Sequence, residues 1–245
     1  MTDLFLFFSL CVLIILPGCR EGTSGNGAKS PAQDHWAALR ERMVREQVEP
    51  RGIRDAKTLA ALRKVPRHLF VPEASRHLAY EDYPLPIGEG QTISQPYIVA
   101  YMTEALRLRG GETVLEIGTG SGYQAAILAE IAAEVYSIEI VPALAASAAE
   151  RLAALGYANV RVRAGDGYRG WPEAAPFDGI LVTAAPDHVP QPLVDELKPG
   201  GRLVIPVGVD TQELRVLVKR ADGGLDEERT LPVRFVPMTG EAEAR

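Results

Sequence analysis

The sequence predicts an α/β fold: a mostly parallel, doubly wound sheet, antiparallel strands closing its C-terminal side, and a helical extension ahead of it. Three observations carry that expectation. From residue 113 onward, short apolar runs alternate with segments of helical periodicity. A glycine-rich loop, "GTGSG", stands between the first such run and the first such helix. The chain has 245 residues, of which 47% are hydrophobic and 24% charged, enough for one large domain buried on both faces of a sheet.

The elements follow in order. Residues 4–16, "LFLFFSLCVLIIL", form an apolar run of signal-peptide length, too short for a comfortable membrane span. "LPGC" follows, a lipobox-like sequence ending at Cys19, and then a Gly/Ser/Pro-rich tether. The flank before the run holds Asp3 and no Lys or Arg. Two readings stay open: export with anchoring to a membrane through Cys19, or a true start further downstream. We therefore divide the chain into a leader and tether, 1–31, and a single domain, 32–245.

In the domain, residues 32–48 read as one amphipathic helix with Trp36, Leu39, Met43, Val44 and Gln47 near one face. Residues 55–65 read as a second helix, N-capped by Asp55, striped by Leu59 and Leu62 and stopped by Pro66. The Pro-punctuated stretch from Pro66 to Gly88 predicts little regular structure. After it come "TVLEIG" as a buried strand, "GYQAAILAEIA" as a helix, and "VYSIEI" as a strand. "PALAASAAERLAALG" is a helix opened by Pro142 and closed by Gly156. "VRVRAGD" and "FDGILVTAA" are strands, "VPQPLVDELKPGG" a short helix and "RLVIPVG" a strand. "ELRVLVKR" and "RTLPVRFVPM" close the chain as antiparallel strands.

Composition excludes several function classes. The net charge is −6 with no basic cluster, which argues against a protein that grips nucleic acid by its phosphates. Both cysteines, Cys11 and Cys19, precede the domain, so the folded body has no disulfide framework, cysteine metal site or thiol nucleophile. His35, His68, His77 and His188 are scattered without metal-ligand spacing, so no metal is expected and each histidine is read as a surface or packing residue.

The loop "VLEIGTGSGYQ" carries the chemistry. Gly118, Gly120 and Gly122 follow a buried strand and open a helix, where the backbone must turn tightly and admit a ligand without a Cβ in the way. The dinucleotide fingerprint needs G-x-G-x-x-G/A, and its last position here is Tyr123. The spacing is G-x-G-x-G, with Glu116 two residues ahead. It resembles motif I of the class I S-adenosylmethionine-dependent methyltransferases, a Rossmann-like fold. Glu139, at the end of the second strand, can accept hydrogen bonds from a ribose diol. Asp166 and Gly167, in "GDG" at the end of the third, suit an adenine amino group and ring.

"GQTISQPY", Gly90 to Tyr97, lies about twenty residues earlier. Read from its residues, Ser94 is either the N-cap of a helix starting near Pro96 or a hydroxyl aimed at a ligand. With "MVREQV", "VPRHLFVP", "YEDYPLPIGEGQTISQPYIVA", "PGGRLVIPVG" and "VRFVPM", it resembles the protein-L-isoaspartate (D-aspartate) O-methyltransferases from roughly Arg40 to Gly240.

The resemblance implies methyl transfer from S-adenosyl-L-methionine to the α-carboxylate of isoaspartyl residues in proteins and peptides. It implies Ser94 as the catalytic residue, with Thr92, Ile93 and Gln95 lining the substrate pocket. Glu116, Gly118 and Gly120 would hold the methionine end of the cofactor, Glu139 the ribose, and Asp166 and Gly167 the adenine, with Ser121, Gly122 and Thr239 also expected to bind the cofactor. Trp171 and Tyr168 are read as packing residues. A monomer is expected, and the cytoplasm, where S-adenosylmethionine is made, is the expected compartment; export through Cys19 is the alternative. The leader is not a general feature of the family, and the tail after Thr239 is short and acidic rather than aromatic.

Two other readings compete: a class I methyltransferase of another substrate, and a non-catalytic S-adenosylmethionine-binding module. "TAAP" stands where base and amide-nitrogen methyltransferases carry Asn/Asp-Pro-Pro-Tyr/Phe, which argues against nitrogen targets.

Overall fold

A computed structural model of the chain describes Met1 and residues 31–244. The apolar run at residues 4–16 and Cys19 lie outside the described residues. Among those described, no helix is long and apolar enough to cross a membrane.

The sheet has seven strands. They are β3 (Thr113–Ile117), β4 (Glu134–Glu139), β5 (Val160–Ala164), β6 (Phe177–Val182), β7 (Leu197–Val207), β8 (Gln212–Lys219) and β9 (Leu225–Val233). Their spatial order is β5-β4-β3-β6-β7-β8-β9. The pairings from β5 across to β7 are parallel, and β7–β8 and β8–β9 are antiparallel. The order reverses at β3, between β4 and β6, which opens a crevice at the carboxyl ends of the strands.

Both faces are covered, so side chains alternate between two cores. Val114, Val135, Leu181 and Val204 pack toward the N-terminal helices. Leu115, Ile138, Ile180, Val182, Leu203 and Ile205 pack on the other face, with Leu193 and Val194 from α6 (Gln191–Asp195). Strands buried on two faces read as continuous apolar runs, which is why they were visible in the sequence.

The expected helix over 32–48 is interrupted. Helix α1 spans Pro31–Met43, and a π-turn at Val44–Val48 and a 3-10 turn at Glu49–Arg51 follow, ending on Gly52 at φ 99°. Met43, Val44 and Val48 are all fully buried across the change from α-helix to the wider π-turn. Helix α2 (Ala56–Lys64) is capped as expected: Asp55 accepts from the Thr58 N–H at 2.7 Å.

The Pro-rich stretch holds more structure than its composition predicts. Two 3-10 turns, Arg67–Phe70 and Glu73–Leu78, precede a hairpin of β1 (Leu85–Gly88) and β2 (Gln91–Ile93). Gly88, Glu89 and Gly90 make its turn, all with positive φ. Helix α3 (Pro96–Ala105) follows at once. Helices α4 (Tyr123–Ala129) and α5 (Pro142–Ala154) occupy the expected places, with Gly156 at φ 85° beyond the end of α5.

The last strand begins four residues earlier than expected and stops at Val233. The chain then leaves the sheet. Ala185 N–H donates to Val236 O and Met238 N–H to Ala185 O, each at 2.8 Å, so the tail lies along the loop after β6. That lateral pairing carries Thr239 to the crevice.

Candidate active site

The loop after β3 turns at three glycines of positive φ: Gly118 at 93°, Gly120 at 52° and Gly122 at 87°. What a side chain would meet differs at each. A Cβ on Gly118 would stand 2.2 Å from Thr183 Oγ1. Thr183 donates that hydroxyl to Gly118 O at 2.7 Å and to Ile117 O at 3.0 Å, fixing the turn from β6. A Cβ on Gly120 would approach Ile87 of the hairpin at 3.3 Å, and one on Gly122 would press on Leu152 of α5 at 3.2 Å. Gly122 thus serves helix packing.

Glu139, at the end of β4, is buried and binds the loop directly. Its Oε2 accepts from Gly120 N–H at 2.7 Å and its Oε1 from Val141 N–H at 3.0 Å. Each carboxylate oxygen keeps capacity for a further donor.

The loop and "GQTISQPY" line one cavity of about 850 Å³. Its floor and one wall are Gly118, Thr119, Gly120, Ser121, Glu139, Ile140 and Gly167. Thr92, Ile93, Ser94, Gln95, Tyr97 and Ile98 line it too, as do the end of β9 and the tail from Leu231 to Thr239.

Three expected cofactor residues stand elsewhere. Gly122 is off the wall, as described. Asp166 lies behind it: Oδ1 accepts from Tyr168 N–H at 2.9 Å and Oδ2 from Glu241 N–H at 2.8 Å, so the carboxylate ties the C-terminal segment to the end of β5. Gly167 does line the cavity, but its missing side chain is also a packing need, since a Cβ there would stand 2.2 Å from Ile117.

Glu116 is the third. Strand pairing sets it beside Ser137 on the helix-covered face, and it is fully buried. Ser137 donates its hydroxyl to Oε2, Thr119 Oγ1 lies 2.5 Å from that hydroxyl, and Oε1 has no partner. Burial pushes the Glu116 carboxyl up to about 8, opposed by the Ser137 bond and helped by the nearby Glu139.

A neutral carboxyl under the loop has a measurable consequence. The folded state binds the Glu116 proton more tightly than the unfolded chain. The stability it contributes is therefore present below the unfolded value of 4.5 and lost as pH rises through about 8. Glu116→Gln does not titrate. Relative to that variant, the parent is expected to lose on the order of a few kcal/mol of unfolding free energy between about pH 5 and pH 9. Urea melts of the two proteins across that range measure the difference; parallel pH profiles would contradict it.

Ser94 does not cap α3. The N-cap is Gln95, and no side chain of its own caps the helix. Asp82 does so from a distance: Oδ1 accepts from Tyr97 N–H at 3.1 Å, and Oδ2 accepts from Gln95 Nε2 at 2.7 Å and Arg51 Nη1 at 2.6 Å. Arg51 also stacks over the Tyr97 ring at 3.4 Å. With its capping role taken over, the Ser94 hydroxyl makes no hydrogen bond among the described residues. Gln95 lines the cavity with its amide nitrogen committed to Asp82.

Residues 38–243 match the family model described as Protein-L-isoaspartate(D-aspartate) O-methyltransferase (PCMT). The chain belongs to this family. It is 62% identical over 200 residues to the protein-L-isoaspartate O-methyltransferase of Gloeobacter violaceus, covering 81% of this chain and 98% of that protein. Protein-L-isoaspartate O-methyltransferase 2 of Anaeromyxobacter sp. is 51% identical over 231 residues, 94% of this chain and 95% of that one. A solved protein-L-isoaspartate O-methyltransferase superposes with a TM-score of 0.74 at 30% identity, covering 84% of this chain and 67% of that one. A Plasmodium falciparum structure of the same family, in complex with S-adenosyl-L-homocysteine, gives 0.69 at 26% identity, covering 83% and 97%.

Within this family fold, several residues that shape the site escaped sequence reasoning: Asp82, Arg51, Thr183 and Arg67. Asp82 stands inside the quoted "YEDYP", yet nothing in the spacing joins it to a helix start fifteen residues on. The aromatic residues and two of the histidines make the following contacts. Tyr168 is buried and bonds His188, Trp171 packs edge-on against Tyr136, and His68 stacks on Trp36 at 4.4 Å.

Proposed function

We propose that the cavity seats the substrate carboxylate against Ser94 and the methyl donor against the glycine turn. The enzyme transfers a methyl group from S-adenosyl-L-methionine to the α-carboxylate of L-isoaspartyl (and D-aspartyl) residues in damaged proteins, which starts their return to normal aspartyl. One observation carries the placement: an unpartnered Ser94 hydroxyl lies on the wall of the same cavity as Gly118, Gly120 and Glu139.

The wall fits the donor. Gly118 and Gly120 present backbone without Cβ in a turn that side chains would fill or strain. Glu139 offers acceptor oxygens beside them for a ribose diol, and Ser121, Gly167, Ile140 and Thr239 complete the bay. S-adenosyl-L-methionine supplies a methyl group already activated by its sulfonium.

The chain's own residues have a limited chemical task. A carboxylate with an ordinary pKa near 4 is ionised at neutral pH, so no general base is required. The cavity wall accordingly carries no His or Lys. Ser94 donates its hydroxyl hydrogen to one carboxylate oxygen and leaves the other as nucleophile. Being neutral, it orients that oxygen without drawing off its charge as an ion pair would. Ile93, Tyr97, Ile98 and Phe235 give apolar surface that excludes water. The work is positioning in a dry site.

The test is a pair of peptides of one sequence, with isoaspartyl or normal aspartyl at a single position. Methyl transfer to the isoaspartyl peptide alone is expected; equal transfer to both, or to neither, would contradict the reading.

A further inference from the structure

Arg67, the first residue of the 3-10 turn Arg67–Phe70, is fully buried. It forms no ion pair among the described residues. Its Nε donates to Ala79 O at 2.8 Å, its Nη2 donates to Ser94 O at 2.7 Å, and Nη1 has no hydrogen-bond partner. The guanidinium lies over the Tyr123 ring at 4.8 Å. Burial draws the Arg67 pKa down to about 10, opposed chiefly by Tyr123, so the group stays charged at neutral pH.

A buried cation outside ion-pair distance of any carboxylate among the described residues is expensive, although Asp82 lends it some longer-range support, and apolar residues of similar size would fold at lower cost. Its contacts show what it joins. Ser94 stands between the end of β2 at Ile93 and the N-cap of α3 at Gln95. Its carbonyl therefore has no place in either hydrogen-bond ladder and would be an orphan acceptor. Arg67 takes it. Tyr123 is the residue that opens α4 behind Gly122, and it lines the same cavity. Phe70 of the same 3-10 turn packs edge-on against Tyr123, with ring centres 5.5 Å apart. The planar guanidinium fork thus reaches the acceptor wall through a carbonyl and the donor wall through a ring, without entering the cavity itself.

We propose that Arg67 is a positioning residue for methyl transfer: it clamps the Ser94 main chain to the base of the glycine turn and so fixes where the Ser94 hydroxyl points. The proposal rests on the reading of Ser94 given above. Lys carries enough donors but lacks the planar fork that stacks on the Tyr123 ring, and Gln would hold a carbonyl without the charge.

The test is a double-mutant cycle. Arg67→Lys and Arg67→Gln are made alone and combined with Ser94→Ala, and kcat, KM and S-adenosyl-L-homocysteine affinity are measured for each. A displacement of about 1 Å at a reacting group costs on the order of 100-fold, so each Arg67 variant is expected to lose about 10-fold or more. The loss should fall in kcat, with S-adenosyl-L-homocysteine affinity changed by no more than about twofold. Because Arg67 acts through Ser94, each double variant should match Ser94→Ala to within about twofold.

Losses that multiply in the double variants would overturn the clamp, since Arg67 would then act independently of Ser94. So would a parallel collapse of S-adenosyl-L-homocysteine affinity in both Arg67 variants, which marks general support of the cavity. A silent Ser94→Ala is a separate result: it removes the underlying reading of Ser94, and the clamp with it.

Discussion

Ser94→Ala is expected to lower kcat/KM for an isoaspartyl peptide by about 10- to 100-fold, the range set by the roughly 1.5–3 kcal/mol of a hydrogen bond to a charged group. S-adenosyl-L-homocysteine affinity should stay within about twofold of the parent, because Ser94 lies outside the glycine turn and Glu139 that are read as holding the donor. Stability should barely change. The residue is half-buried, caps no helix and its hydroxyl bonds nothing among the described residues, so the substitution removes no intramolecular contact of its hydroxyl and leaves its carbonyl free to accept from Arg67. Steady-state kinetics together with calorimetric binding separates these quantities. Undiminished turnover would show that another group orients the carboxylate, and Arg51 or Arg234, both on the cavity wall, would be the next to examine.

Gly118→Ala is expected to have the larger effect on the donor side. The added Cβ would sit 2.2 Å from Thr183 Oγ1, and the backbone is at φ 93°, where an L side chain is strained whatever the space. Relief requires Thr183 to give up its bonds to Ile117 O and Gly118 O or the turn to change conformation; either redraws the backbone that faces the donor. S-adenosyl-L-homocysteine affinity should fall by about 100-fold or more, and unfolding free energy by about 1–3 kcal/mol. Gly156→Ala is the control. It has nearly the same φ, 85°, but nothing within 4 Å of the added carbon and no place on the cavity wall. It should cost about 1 kcal/mol of stability and leave affinity unchanged. Equal affinity losses in the two variants would mean that backbone strain, and not the fit of the turn, is what matters.

These two residues also mark how far the sequence could be read. The middle of the sheet was legible because β3, β4 and β6 are buried on both faces and so appear as apolar runs, and the glycine turn because its spacing differs from the dinucleotide pattern. Residue identity gave no means of telling the three glycines apart. Gly118 borders Thr183 of another strand, Gly120 a hairpin residue and Gly122 a helix, and those neighbours are set by packing between segments distant in the chain.

Glu116 shows the same limit. Motif spacing puts it two residues before the turn, but pairing with Ser137 on β4 buries its carboxyl against that hydroxyl, and it is not among the residues that line the cavity. Asp166 stands two residues past the end of β5, where it caps the 3-10 turn Gly167–Arg169, and the returning tail brings Glu241 N–H to it. The hairpin at residues 85–93 was hidden because prolines mask its short strands, although the three positive-φ residues of "GEG" are a turn signal. Arg67 and Asp82 act on residues 27 and 15 positions away, respectively, through bonds that no local pattern encodes.

The central claim is that the Ser94 hydroxyl meets the substrate carboxylate in the cavity it shares with the glycine turn. The most direct measurement is a crystal structure of the enzyme with S-adenosyl-L-homocysteine and an isoaspartyl peptide. Ser94 Oγ is expected at about 2.6–3.0 Å from one α-carboxylate oxygen, with the other oxygen turned toward the ligand's sulfur. A carboxylate held by Arg51 or Arg234, with Ser94 Oγ beyond hydrogen-bonding distance, would contradict it.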